Sequence, residues 1–493
     1  MKRNKERAIA ALLALASAFA ALMVASSSSP LYATNFWTDT NIYFTIGRGM
    51  TQGLAPYSDL FDHKGPLLYM IYALGAMISG ESFIGVFLLE VLALAAVCML
   101  AYETACLYGK GALNLIVIPL TAMITASCTA SNQGGSAEEF ILPALSLALY
   151  TALRRFEGEG RTRPLYIAFG AAMGWVFAIK YTNCGLFFGL ALTVLLYEWR
   201  VSGFVRAFVC GLWCLAGFAL VVVPAALYMA LCGALGACLR VYFYENMFLY
   251  VGEPMTFGGH IYNALAYLRT QSAVNPAVAL IGGLGCAGLA LRALMLRRKG
   301  FLLEAAAMPM GAGLLLLFTY WGEMAHPYYA LVFAALVPLG LAPVGMLAAK
   351  LKDRRWGLAA LAPLAAIIPV CLQLCAAVPM MQVERADMAQ TKLAAIVRET
   401  PEATLLDWSS LDQGFYFAAG IIPTQRYFAN NNLDTAEKRE AYRACVEQGA
   451  VDYVITNAWQ AAPGDHYELV TEIDGVFDLN SPRTYRLYRK KGA

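Results

Sequence analysis

Long apolar segments alternate with short polar ones along the chain as far as about residue 380. A helix needs about 20 apolar residues to cross the hydrocarbon core of a bilayer, and most of these segments approach that length. They fall near residues 8–26, 66–80, 82–106, 112–130, 138–153, 164–182, 184–199, 207–232, 274–296, 301–320, 327–349 and 357–379. This pattern predicts a polytopic α-helical membrane protein.

The first apolar segment, near 8–26, follows a basic start, "MKRNKER", that resembles a secretory signal peptide. Its apolar core is longer than the usual signal-peptide core, and many more candidate spans follow it. We therefore interpret it as an uncleaved first span.

The segment at 66–80 determines the predicted topology, because it is short for a span and begins at Pro66. If it lies at the interface, eleven spans remain and residues 27–81 form the first external loop. The inner loops then carry nineteen Lys and Arg residues, against five in the outer segments before residue 381. Positive residues are enriched in cytoplasmic loops, so we predict about eleven spans, a cytoplasmic N-terminus and an extracytoplasmic C-terminus.

Residues 381–493 differ from the rest of the chain because they are mostly polar. The runs "ATLLDW", "VDYVIT", "YELVTEI" and "YRLYRK" have strand-like composition, and helical patterns occur near 410–419 and 434–448. We predict a membrane domain at 1–380 and a small extracytoplasmic α/β domain at 381–493.

Composition narrows the function classes. Charged residues make up 14% of the chain, whereas a typical soluble domain has about 25%. The net charge of +3 comes from basic residues clustered between apolar segments, which indicates topology and no nucleic-acid partner. The 12 cysteines show no CxxC spacing, and we interpret them as small apolar residues.

The first external loop contains the most unusual polar stretch, "DLFDHKGPL", directly before an apolar segment. Asp62, His63 and Lys64 follow one another there, at the predicted membrane boundary. Earlier in the loop, Asp39 and Tyr43 have helical spacing, which places Asp39 on a short surface helix. Further ionisable residues are predicted on the same outer side: Glu138, Glu139, Lys180 and His326.

The arrangement "D…Y…G…G..PY.D..D.KGPL" resembles the GT-C membrane glycosyltransferases, in particular bacterial protein O-mannosyltransferases and aminoarabinose transferases. "GGSAEEFILPALSLALY" resembles the second acidic motif of that family, and "HPYYALVFAALVPL" resembles a late helix that begins near the active site. Gly65 stands where the family often has proline, in Lys-Pro-Pro-Leu.

The resemblance implies a GT-C-like fold and transfer of a sugar, a hexose or a pentose, from a polyprenyl-phosphate donor to an acceptor hydroxyl on the outer face. A carboxylate must accept the acceptor's proton, and we assign this role to Asp39. A fixed cation should face the departing phosphate, and Lys64 lies at the height of a lipid phosphate. Expected partners are the lipid-linked sugar, membrane lipids and an acceptor glycan, lipid or protein. No cofactor is assigned, and a divalent metal remains open.

The remaining candidates follow from their placement beside these two residues. Glu138 and Glu139 form the second acidic group of the catalytic site. The phosphate-binding candidates besides Lys64 are His63, Lys180 and His326, and the substrate-groove candidates are Tyr43, Tyr57, Asp62 and Tyr328.

Several of these residues also have structural interpretations. Asp39 fits a helix cap or a solvated loop carboxylate, and Lys64 fits an anchor for lipid headgroups. Glu138 and Glu139 fit caps of the helix that follows them. His63 and His326 could ligate a metal with Asp39 or Glu139, although four histidines without ligand spacing argue against it.

Two other functions compete with glycosyl transfer. A lipid-linked substrate transporter or flippase would need broken spans, paired intramembrane charges and repeat symmetry, and no repeat is visible in the sequence. A non-catalytic assembly protein acting through its α/β domain would have no need for Asp39, Lys64 and the glutamate pair on one face.

Overall fold

The computed structural model describes residues 2–158, 162–250, 255–322, 326–351, 353–476 and 482–492. The basic residues Arg161 and Lys352, which enter the loop charge count, lie outside these ranges. The chain forms a long helical part followed by a small mixed α/β part.

The first half of the helical part contains α1 (Lys2–Ala25), α2 (Thr38–Thr51), α3 (Pro66–Ile78), α4 (Ile84–Tyr108), α5 (Val117–Ala126), α6 (Ala137–Phe156), α7 (Thr162–Lys180), α8 (Gly185–Ser202) and α9 (Phe204–Leu231). The second half contains α10 (Leu235–Leu239), α11 (Asn246–Phe248), α12 (Phe257–Val274), α13 (Pro276–Leu296), α14 (Phe301–Thr319), α15 (Val337–Leu341), α16 (Pro343–Lys350) and α17 (Leu361–Leu374). Short 3-10 helices precede several of them, including Pro327–Leu336 before α15.

Within the described ranges, eight stretches are long and apolar enough to cross a membrane. One of them, Thr162–Ser202, has 41 residues and contains both α7 and α8, separated by the 3-10 turn Tyr181–Cys184. If α7 and α8 are counted separately and α5 and α6 are added, the described chain contains eleven helical segments. These correspond to the eleven spans that the sequence predicts. The protein is therefore a multi-pass helical membrane protein, and the predicted fold class is confirmed.

Helix α3, at the segment that determines the topology, has only 13 residues. At 1.5 Å rise per residue it spans about 20 Å, less than the roughly 30 Å hydrocarbon core. It packs closely on α2, since a Cβ atom added to Gly47 would lie 2.6 Å from the backbone of Tyr72. That α3 does not cross the membrane stays a prediction.

The C-terminal part contains a four-stranded sheet with strand order β1-β2-β4-β3. Its elements are α18 (Ala389–Val397), β1 (Leu405–Asp407), α19 (Phe415–Ala419), α20 (Ala436–Glu447), β2 (Tyr453–Asn457), β3 (Tyr467–Val476) and β4 (Pro482–Lys490). β1 and β2 are parallel, with α20 between them in the chain, and β4 is antiparallel to both β2 and β3. The four predicted strands and two predicted helices are present, whereas α18 was not anticipated. The domain boundary at 380/381 stays a prediction.

The α/β part packs directly on the first loop. The Thr45 hydroxyl on α2 donates to Asp412 at 2.6 Å, and the Phe61 amide donates to the Arg426 carbonyl at 2.8 Å. Phe417 of α19 completes an aromatic cluster with Phe44 and Phe83, at centroid distances of 5.8 and 4.9 Å. The first loop and the α/β part therefore lie on the same side of the helical part.

Candidate functional site

The polar stretch of the first loop is held in shape by buried tyrosines. Tyr57 is fully buried in a left-handed conformation (φ 67°), and its hydroxyl donates to the Lys64 carbonyl at 2.7 Å. The Tyr69 hydroxyl accepts the Lys64 amide at 2.9 Å and donates to Asp62 at 2.8 Å. Asp59 accepts the Ala55 amide at 2.7 Å and so closes the turn. Tyr57 and Asp62, predicted groove residues, thus support the backbone that carries Lys64.

Gly65 joins this loop to the end of α7. Its amide donates to the Ile179 carbonyl at 3.0 Å, and an added Cβ would lie 2.2 Å from the Ala178 carbonyl oxygen. Proline would bring that Cβ and remove the amide hydrogen. Glycine, and not the proline that is usual in the family, therefore fits this close backbone contact. The contact joins the residue after Lys64 to the end of α7, where Lys180 lies.

We expect Gly65→Ala to destabilise the protein by about 1–3 kcal/mol, the usual result of overpacking a site with no free space. Thermal unfolding of the detergent-solubilised protein measures the change. Gly211→Ala is the matched control, because its Cβ would have its nearest neighbour at 4.0 Å. Equal unfolding temperatures for the two variants would contradict the close contact.

Asp62, His63 and Lys64 form a buried charge cluster. Lys64 Nζ donates to His63 Nε2 at 3.3 Å, so the neutral imidazole carries its proton on Nδ1, 3.4 Å from Asp62. Burial and the Lys64 charge hold the pKa of His63 well below its usual range. Burial acts to lower the pKa of Lys64, but the carboxylates of Asp39, Asp62 and Glu138 outweigh it and raise that pKa. Lys64 is therefore a cation at neutral pH.

Asp39 lies in the first turn of α2 and is partly buried. Its Oδ2 accepts hydrogen bonds from the Tyr328 hydroxyl at 3.0 Å and from the Tyr43 hydroxyl at 3.2 Å. The Trp37 ring packs edge-on against Tyr328 at 4.8 Å. The structure thus joins Asp39 to Tyr328, which is 289 positions away in the chain.

His326 stacks on Tyr328 at a centroid distance of 5.5 Å, beside the same carboxylate. Its pKa is lowered, first by burial, and the charges of Lys64 and Lys180 also act to lower it. A neutral imidazole at this position offers one donor and one acceptor to a ligand. Among the described residues, no group of three or more His, Cys, Asp and Glu side chains is placed to hold a metal ion.

Glu138 and Lys180 form a buried ion pair between the start of α6 and the end of α7. The Lys180 ammonium also lies 3.5 Å from the centre of the Tyr329 ring, a cation–π contact. The same ammonium lies 5.8 Å from the centre of the Tyr328 ring, whose hydroxyl donates to Asp39, so the ion pair is on the Asp39 side of the site. Lys180 therefore already has a carboxylate partner, whereas the sequence suggested it as a phosphate ligand.

Glu139 occupies a different position from its neighbour. Ser136 and Glu139 form a reciprocal capping box at the start of α6, with the Glu139 amide 3.0 Å from the Ser136 hydroxyl. The helix-cap interpretation thus applies to Glu139, and Glu138 is the member of the pair that faces the charge cluster.

Sequence reasoning missed four residues of the site: Tyr69, Tyr329, Asn246 and Tyr250. Asn246 donates to the His63 carbonyl at 2.6 Å, and the Tyr250 ring lies 4.8 Å from the His63 ring. Both belong to the stretch "YFYENMFLY", whose run of aromatic residues was the available signal. The sequence of this stretch fits the lining of a substrate groove and an amphipathic surface helix equally well, so the contact with His63 could not be assigned from it.

An apolar groove of about 710 Å³ runs along the helices below the charge cluster. α3, α4, α6, α7 and α9 line it, with Phe140 and Trp175 among its residues and Leu74 and Leu92 exposed at its wall. Phe140 follows Glu138 on α6, and Trp175 precedes Lys180 on α7. The groove thus leads along the bundle toward the ion pair.

The fold and the site define a multi-pass helical membrane protein with a buried polar site between its first loop and its late helices. A family model described as "Putative competence-induced protein Ccs4 N-terminal domain" matches residues 2–263. The match covers more than half of the 493 residues, so the chain belongs to this family. No curated protein matches the chain.

Solved structures are similar in fold. ArnT from Cupriavidus metallidurans, an aminoarabinose transferase crystallised with undecaprenyl phosphate, is 14% identical, with a TM-score of 0.60 over 95% of this chain and 96% of ArnT. The oligosaccharyltransferase of Archaeoglobus fulgidus in its apo form is 14% identical, with a TM-score of 0.51 over 92% of this chain and 69% of that protein. Both are GT-C glycosyltransferases, so the predicted resemblance is confirmed at the level of fold.

Proposed function

We propose that the protein is an integral membrane glycosyltransferase. It moves a sugar from a polyprenyl-phosphate donor to an acceptor hydroxyl on the outer face of the membrane. Asp39 accepts the proton of the acceptor hydroxyl as the new glycosidic bond forms. Lys64 faces the phosphate, which gains negative charge as its bond to the sugar breaks.

The observation that carries this proposal is the convergence of a carboxylate and a buried cation from separate parts of the first loop. Asp39 is only partly buried, so an acceptor can reach it, and Tyr43 and Tyr328 orient its Oδ2. Lys64 is nine-tenths buried, and the charges of Asp39, Asp62 and Glu138 act to raise its pKa against the effect of burial.

The donor also needs a place for its hydrocarbon tail. The apolar groove along α3, α4, α6, α7 and α9 fits that requirement, because its volume of about 710 Å³ opens beside lipid-exposed side chains. The fold neighbour ArnT was crystallised with undecaprenyl phosphate, a lipid of this kind. The charge cluster and the groove together suit a substrate with one charged and one apolar end.

The direct test is a transfer assay with purified protein in nanodiscs and a radiolabelled polyprenyl-phosphate sugar. Release of free polyprenyl phosphate that depends on an added acceptor supports glycosyl transfer. Movement of the intact lipid between leaflets without cleavage would instead support the flippase alternative. Binding without either reaction would support the assembly-protein alternative.

We further propose that the first loop and the α/β domain at 381–493 are extracytoplasmic. Their mutual contacts place them on one side, and the charge bias of nineteen to five supports the outer side. A cysteine introduced by Lys491→Cys, in a Cys232→Ser background that removes the exposed native thiol, tests this orientation.

We expect Lys491→Cys to be labelled by a membrane-impermeant thiol reagent in intact cells, because Lys491 is exposed at the end of β4. The Cys232→Ser protein without the added cysteine measures the background. Labelling that appears only after lysis would place the domain in the cytoplasm and contradict the proposed site.

A further inference from the structure

A second polar cavity lies on the opposite side of α2 from Asp39. Its volume is about 380 Å³, and it is enclosed by α2, the turn between α3 and α4, and the α/β domain. Arg48 comes from α2 and Glu81 from the turn, whereas Arg385 and Arg398 come from the α/β domain. The cavity is within the range of about 300–1,000 Å³ that small ligands occupy.

Asp39 and Arg48 belong to different faces of α2. Asp39 and Tyr43 face Tyr328, at the site already described. Thr45 and Arg48 are about one turn apart and face the α/β domain, where Thr45 bonds Asp412. The second cavity is therefore separate from the charge cluster of the first loop.

The cavity has an excess of positive charge. Three arginines line it against one carboxylate, Glu81. In the described part of the chain, none of the three guanidinium groups is within 4.0 Å of a carboxylate. Arg398 donates to the Ala419 carbonyl at 3.2 Å, and Arg385 lies 5.8 Å from the Phe417 ring.

Within the ranges that the structure describes, one guanidinium nitrogen of Arg48 is unpaired. Its Nη1 is buried and has no hydrogen-bond partner among the described residues. A buried donor left unpaired is unfavourable, because it has lost its water without gaining a partner.

A smaller cavity of about 160 Å³ lies next to this one and shares Glu81, Arg385 and Phe417 with it. The smaller cavity extends along residues 27–34 at the end of α1. A ligand that fills both is therefore longer than a single anion. The Thr34 hydroxyl and the Glu81 carboxylate of this wall make no hydrogen bond to another described residue, and both can bond the hydroxyl groups of a sugar.

We propose that this cavity binds the phosphate group of an anionic glycan, with Arg48, Arg385 and Arg398 around the phosphate. Guanidinium groups form paired, charge-assisted hydrogen bonds with phosphate oxygens, which makes arginine suited to this role. Binding of this ligand does not depend on the proposed function. The α/β domain then supplies two of the three arginines of this phosphate site.

Isothermal titration of the full-length protein in nanodiscs of zwitterionic lipid tests the site, with mannose 6-phosphate as the probe and mannose as its uncharged counterpart. We expect the phosphosugar to bind and mannose to bind much less. Arg48→Gln and Arg385→Gln should each weaken phosphosugar binding about tenfold, the loss of one strong hydrogen-bonding group. Arg439→Gln, which removes an exposed arginine elsewhere in the α/β domain, is the matched control.

Arg385 is exposed, so its replacement tests the site even if Arg48→Gln does not fold. Equal affinity of wild type and Arg385→Gln for the phosphosugar would overturn the proposal. The same titration is repeated in nanodiscs that contain phosphatidylglycerol. Loss of phosphosugar binding there would assign the cavity to lipid headgroups and overturn its assignment to a glycan. The Asp39→Asn variant should bind the phosphosugar like wild type. Phosphosugar binding can therefore be observed even if the protein shows no glycosyl transfer, and the two proposals are tested separately.

Discussion

Asp39→Asn is expected to lower the rate of glycosyl transfer by about 10²–10⁴-fold, the usual contribution of a general base. The amide keeps the size of the carboxylate and can still accept a hydrogen bond from Tyr328, so the fold should remain intact. It cannot take up a proton at neutral pH. The transfer assay in nanodiscs measures the loss, and the unfolding temperature measures folding.

The matched control for Asp39→Asn is Asp434→Asn. Asp434 is an exposed carboxylate of the α/β domain, paired only with the exposed Arg439 in the described chain. We expect that variant to retain full activity. An Asp39→Asn protein that keeps most of its transfer activity would remove Asp39 from the mechanism, whatever the control shows.

Lys64→Gln should lower transfer by about 10²–10³-fold, the usual result of removing a group that stabilises developing negative charge. Affinity for free polyprenyl phosphate should fall with it, whereas Asp39→Asn should leave that affinity near the wild-type value. This contrast separates phosphate binding from proton transfer. Lys392→Gln, at an exposed lysine on α18, is the control for loss of positive charge.

A comparison of Lys64→Gln with Lys180→Gln distinguishes the two buried lysines. Lys180 is paired with Glu138, so its replacement leaves a buried carboxylate unpaired, which typically destabilises a protein by about 3–5 kcal/mol. We therefore expect Lys180→Gln to lower stability more than phosphate affinity. If Lys180→Gln abolished phosphate affinity while the protein remained stable, Lys180 would replace Lys64 as the main phosphate ligand.

Much of the site could be anticipated because the motif residues are close in the chain. Asp62, His63 and Lys64 are consecutive, and Asp39 and Tyr43 are one helical turn apart, so their grouping follows from local structure. The role of Gly65 could not be anticipated, since it depends on the backbone of Ala178 in another helix. The same holds for Asn246 and Tyr250, which reach His63 only because their segment folds back over the first loop.

The sequence by itself determined the class of protein, the positions of the apolar helices and the presence of the α/β domain. These features depend on hydropathy and periodicity within single segments, which are local properties of the chain. Only the tertiary structure decided that Glu138 pairs with Lys180, that Glu139 caps its helix, and that Arg48, Arg385 and Arg398 line one cavity. Residues so far apart in the chain become partners only through helix packing and the docking of the α/β domain on α2, which no single segment encodes.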